Sequence, residues 1–121
     1  MTRIQSLFSA VLLSLAVFSV QAVELAISAE EAYAKTQQTE HPVLFVDVRD
    51  PVEIMFIGFA DAVDINIPFL LVDRTQWNAE RNIFPMNRNP EFVAQIKAEL
   101  AKRGLDENTE VITMCRSGSE R

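Results

Sequence analysis

The chain has 121 residues, 49% of them hydrophobic and 23% charged, which is ordinary for one globular domain and excludes an overall disordered chain. Seventeen acidic residues against eleven basic ones give a formal charge of −6 with no basic run, a composition unsuited to nucleic acid or an anionic lipid surface. One cysteine excludes an internal disulfide framework, and with one histidine there is no metal-ligand cluster of familiar spacing, so neither a metal nor another cofactor is expected.

At the amino end Arg3 is followed by an apolar run from Leu7 to Val20 and then by Val20-Gln21-Ala22, with small or compact residues where a signal peptidase reads. The run is about fourteen residues, short of the roughly 20 that span a bilayer as a helix, so residues 1–22 read as a cleaved secretory signal and 23–121 as the domain. The expectation is an exported, periplasmic protein without stable membrane association; an uncleaved segment would instead leave it anchored. Cleavage removes Arg3 and moves the formal charge from −6 to −7. In an oxidising export compartment an idle exposed thiol is a liability, so the lone Cys115 is either buried and inert or present to react.

Ser28-Ala29-Glu30-Glu31 carries a capping-box pattern, and Ala32, Tyr33 and Ala34 continue a helix towards Thr39. Acids in a first helical turn complement the dipole, which accounts for Glu30 and Glu31 without chemistry. His41-Pro42 ends the helix; Val43 to Val48 reads as a strand buried on both faces of a parallel sheet, with His41 on the surface at its entrance, away from the carboxyl edge. Asp47, Arg49, Asp50 and Glu53 cluster where that strand ends, either beside an active loop or paired with each other.

Pro51 to Phe56 suits a short helix closed by Gly58, and Ile65-Asn66-Ile67-Pro68 a strand end and turn. Phe69 to Arg88 is long and mixed and receives no regular assignment; its Trp77, Phe84 and Met86 either cover a sheet face or domain edge or belong to a lid. Asn89-Pro90 starts the clearest helix, with Asn89 as cap, Phe92, Val93, Ile96 and Leu100 on one face, and a stop at Gly104. A strand from Glu110 to Met114 follows. The alternation of helices and strands indicates an α/β sandwich with a mostly parallel sheet.

That last strand runs into Cys115-Arg116-Ser117-Gly118-Ser119-Glu120-Arg121. The carboxyl end of a buried strand is where open α/β sheets hold ligands, and backbone N–H groups in a Ser/Gly turn converge into an anion-binding nest. Gly118 allows the positive φ such a turn often needs, while Arg116 and Arg121 bring permanent charge that favours a thiolate and grips an oxyanion. Cys115 is therefore the candidate nucleophile, and Arg116 to Arg121 the candidate substrate-binding loop.

Cys115-Arg116-Ser117-Gly118 with its loop arginine, together with Asp47-Val48-Arg49-Asp50-Pro51-Val52-Glu53 and Asn66-Ile67-Pro68, resembles the rhodanese (sulfurtransferase) domains over about Val43 to Arg121. The resemblance implies a rhodanese-like three-layer sandwich, a Cys115 persulfide, a small anionic thiosulfate-like donor and a thiol or cyanide-like acceptor. In that family the Asp-Val-Arg element chiefly shapes the sheet edge and its connections, so the resemblance implies that Asp47 and Arg49 are supporting residues, in structural ion pairing in preference to direct catalysis. The chain departs from the family pattern after Gly58, where Phe59-Ala60-Asp61-Ala62-Val63 replaces a His-containing run. Arg121 is also the sixth residue after Cys115 instead of the fifth, with Glu120 intervening. A Cys-x5-Arg loop resembles phosphatases and arsenate reductases, including those of rhodanese fold, although Met114 stands where those phosphatases usually carry His. A non-catalytic module binding through the same pocket is the third reading. Family members continue past the loop with a helix, a strand and a helix, so the domain is expected to be incomplete at its carboxyl end.

Overall fold

The computed structural model describes residues 26–116. The expected signal segment and Ser117 to Arg121 of the expected binding loop lie outside these residues. Eight elements follow in chain order: α1 (Ala29–Thr36), β1 (Leu44–Asp47), α2 (Pro51–Ile57), β2 (Ile65–Asn66), β3 (Leu70–Val72), β4 (Met86–Arg88), α3 (Phe92–Lys102) and β5 (Val111–Met114). The class is α/β. Strands β2, β1 and β5 form a parallel sheet in that order, while β3 and β4 form a separate antiparallel pair.

Strand β1 is central and buried along its whole length, as its apolar run requires. Period-2 alternation divides its side chains between two packing layers. Leu44 and Val46 join Val48, Ile67 and Leu100, with Phe92 and Ile96 of α3 packed against them. Phe45 joins Ala32 of α1, Val63 and Ile112, with Met114 alongside. The register Phe45↔Ile112 places two side chains of the second cluster side by side. The sheet thus has α3 on one face and α1 on the other. Among the described residues no helix is long and apolar enough to cross a membrane.

Helix α1 starts as its cap predicts, with Ser28 Oγ accepting from Glu31 N–H at 3.1 Å, but it ends at Thr36, short of Thr39. Helix α2 has Asp50 as its cap, Pro51 in the first turn and Gly58 at φ 103° closing it, a backbone angle that suits glycine.

Two sequence expectations need correction. Asn89 does not cap α3: Glu91 occupies the cap position without a side-chain bond, and Asn89 Oδ1 accepts from Glu91 N–H at 3.0 Å in the turn ahead of the helix. Buried Asn89 is spent on tertiary bonds, donating through Nδ2 to Pro68 O (2.8 Å) and Gln95 Oε1 (3.0 Å). Val93 is 63% exposed and leaves the apolar face assigned to it, because Phe92, Ile96 and Leu100 alone meet the sheet cluster.

The unassigned segment Phe69 to Arg88 contains the β3–β4 pair, with Leu70 opposite Arg88 and Val72 opposite Met86. Farther out, Trp77 and Phe84 meet edge to face at 5.1 Å and remain 55% and 40% exposed. These two rings pack on each other at the tip of the excursion.

Candidate functional site

The carboxyl ends of the parallel strands converge on Cys115. Hydrogen bonding between β1 and β5 persists past the last paired residues, with Val48 N–H donating to Met114 O at 2.9 Å, so the chain after β1 and the residue after β5 leave the sheet together. Asn66 at the end of β2 fixes this bend by donating to Asp47 O (2.8 Å) and Arg49 O (2.9 Å). Ile67 and Phe69 N–H then donate to Asp47 O and Val48 O. The consequence is a partly buried Cys115 next to Val48, Arg49 and Asp50.

Asp47 and Arg49 are brought together. Asp47 is fully buried and both its oxygens take Arg49 Nε, at 2.9 and 3.0 Å; Oδ2 also takes Arg49 Nη2, and Oδ1 the Arg49 backbone N–H at 3.0 Å. The remaining reach of Arg49 goes to Gly58 O at 3.0 Å, tying the end of α2 to the sheet edge. The bond to Asp47 holds the Arg49 pKa above its already high ordinary value, against the opposing effect of burial. Such a guanidinium is permanently charged and committed to a fork of bonds.

Asp50 is equally committed. Its Oδ1 accepts from Val52 N–H (2.9 Å), capping α2, and its Oδ2 from Val72 N–H (2.8 Å), holding β3 to the same corner. The base of the β3–β4 pair is secured from the other side, where Phe69 meets Phe92 edge to face at 5.2 Å and the Arg88 guanidinium lies 4.9 Å above the Phe69 ring. These anchors carry Leu70 and Met86 to the site.

The resulting cavity is lined by Val48, Arg49, Asp50, Glu53, Leu70, Met86, Cys115 and Arg116. Its volume of about 30 Å³ is room for one water-sized group. Arg116 is exposed, and its Nη1 stands 3.5 Å from Glu53 Oε1, an oxygen that is buried and accepts no hydrogen bond. His41 is exposed ahead of β1, at the opposite edge of the sheet. Among the described residues no group of three or more His, Cys, Asp or Glu is arranged to hold a metal ion.

Of the sequence candidates, Cys115, Arg116, Asp47 and Arg49 thus gather at one sheet edge, with Arg49 and Asp47 satisfying each other. Ser117, Gly118, Ser119, Glu120 and Arg121 lie outside the described residues. Glu53 was legible as part of a charged cluster expected either beside the loop or paired internally, and the turn of α2 brings it to the cavity that Cys115 also lines. Leu70 had no signal, and Met86 was marked only as part of a cover or lid, because their strands are short and separated in sequence. Compared with known proteins, the chain matches no family model, no curated protein and no solved structure.

Proposed function

We propose that the chain is a rhodanese-type sulfurtransferase domain of rhodanese-like sandwich fold, exported and processed at its amino end. The observation that carries the reading is the placement of Cys115, the only cysteine, at the carboxyl end of a parallel strand beside a small cavity that Arg116 also lines. The parallel order β2-β1-β5, with helices on both faces, supports the proposed fold.

In the proposed reaction the Cys115 thiolate attacks the outer sulfur of a thiosulfate-like donor. A new S–S bond forms, the donor's S–S bond breaks, and sulfite leaves with the bonding pair. A thiol or cyanide-like acceptor then attacks the outer sulfur of the Cys115 persulfide, takes that atom and returns the Cys115 thiolate. Arg116 would attract the anionic donor, with loop N–H groups and Arg121 expected to complete its binding.

The test is paired. Incubation with thiosulfate should add one sulfur atom to Cys115 by intact mass, and cyanide should remove it as thiocyanate; Cys115→Ser should abolish both. Turnover of an aryl phosphate or arsenate without any persulfide on Cys115 would replace sulfur transfer by the Cys-x5-Arg phosphatase or reductase reading. Inertness in every assay would leave a binding module.

A further inference from the structure

Among the described residues, the charged groups around Cys115 are balanced against a strongly anionic ligand. Arg49 is neutralised by the buried carboxylate of Asp47, and the Asp50 carboxylate accepts one backbone N–H on each oxygen. Glu53 contributes a third carboxylate, whose Oε1 is buried without a hydrogen bond and stands 3.5 Å from Arg116 Nη1. Among the described residues, Arg116 is therefore the cation at this cavity not already committed to a hydrogen-bonded carboxylate, and Glu53 partly cancels it. A doubly charged donor reaching Cys115 must approach Glu53 as well as Arg116. Like charges a few ångströms apart in a partly buried site oppose each other more strongly than they would in water.

We propose that Glu53 is a specificity-determining residue that sets the Cys115 pocket against dianions. It biases the pocket towards singly charged or neutral reagents, among sulfane donors towards thiosulfonates and persulfides over thiosulfate. This donor preference rests on the sulfurtransferase reading; the charge selectivity needs only Cys115 as the reacting atom. With a thiosulfonate the balance is the same as above, the outer sulfur passing to Cys115 and a sulfinate leaving with the bonding pair.

Because Cys115 is the only thiol, its alkylation reports the field at the site directly. Second-order rates are measured with neutral iodoacetamide and anionic iodoacetate on the full chain; the thiolate displaces iodide in both. Replacing Glu53→Gln should raise the iodoacetate-to-iodoacetamide rate ratio on the order of fivefold, while Glu53→Asp, which keeps the charge, should leave the ratio close to that of the unsubstituted protein. A merely structural role would move both rates together, and an unchanged ratio in Glu53→Gln overturns the proposal. Arg116 is 73% exposed, so Arg116→Gln disturbs little packing and supplies the second variant: it should lower the ratio, and no fall would also overturn the proposal. Persulfide formation from thiosulfate and from a thiosulfonate is then compared in the same proteins. Glu53→Gln should improve thiosulfate use relative to thiosulfonate. A shifted alkylation ratio with no persulfide from either donor would reject sulfur transfer while leaving the charge selectivity standing, and persulfide formation without any shift would do the reverse.

Discussion

At the scale of single residues, the decisive pair is Asp47 with Arg49. Both are buried, and each supplies most of what the other needs, so the pair is costly to break but not in itself a large source of stability. Asp47→Ala would leave a buried guanidinium whose remaining described acceptor is Gly58 O, at a cost of about 3–5 kcal/mol. Replacing both partners, Asp47→Leu with Arg49→Met, should recover most of that loss. Urea midpoints of the single and double variants check this; equal destabilisation of the two would show that the packing of these side chains, and not an unpaired charge, carries the effect. The residue-scale test of Cys115 is of another kind, since Cys115→Ser should change chemistry with little change in midpoint.

At the scale of elements, α3 is fastened to the amino-terminal side of the sheet by a chain of charge-assisted bonds. Glu99 Oε1 accepts from Arg103 Nε at 2.8 Å, Arg103 Nη1 donates to Asp64 Oδ1 at 2.8 Å, and Asp64 Oδ2 accepts from Phe45 N–H at 2.8 Å. The Arg103 hydrogen bond lowers the Glu99 pKa, overcoming the burial that would raise it. A carboxylate depressed in the folded state adds stability that is present above its unfolded pKa of about 4.3 and lost as pH falls through the lower folded value. Glu99→Gln should therefore lower the urea midpoint at pH 7, and the deficit should shrink below about pH 4 as the native carboxylate protonates. A deficit that is the same at pH 7 and in acid would assign the loss to something other than ionisation. This network lies away from Cys115, so thiol alkylation should be unaffected while the fold is intact.

At the scale of the whole molecule, the described residues contain three parallel strands and a buried set centred on Leu44, Val46 and Asp47. Much of α2 stays in contact with solvent: Met55, Phe56 and Ile57 are all exposed, and none of its residues is fully buried. The proposed export predicts a mature amino terminus at Val23, measurable by intact mass or terminal sequencing of protein from the envelope fraction. A membrane-bound species retaining Met1 would replace cleavage with anchoring.

Local chemistry was enough to read most elements from the sequence. Apolar runs marked β1 and β5, Pro51 and Gly58 bracketed α2, and the periodic Phe92, Ile96 and Leu100 marked α3, because each signal lies within a few residues of the structure it specifies. The cluster Asp47, Arg49, Asp50 and Glu53 was equally visible as charge, and structural ion pairing of Asp47 and Arg49 was expected and is found. Tertiary structure decided that Asp50 joins α2 to β3 and that Glu53 faces Arg116. It also turned Asn89 from a cap into a tether for Pro68 and paired Leu70–Val72 with Met86–Arg88. Those outcomes depend on partners many positions apart, and a short polar side chain or a three-residue strand carries no local preference strong enough to select among them.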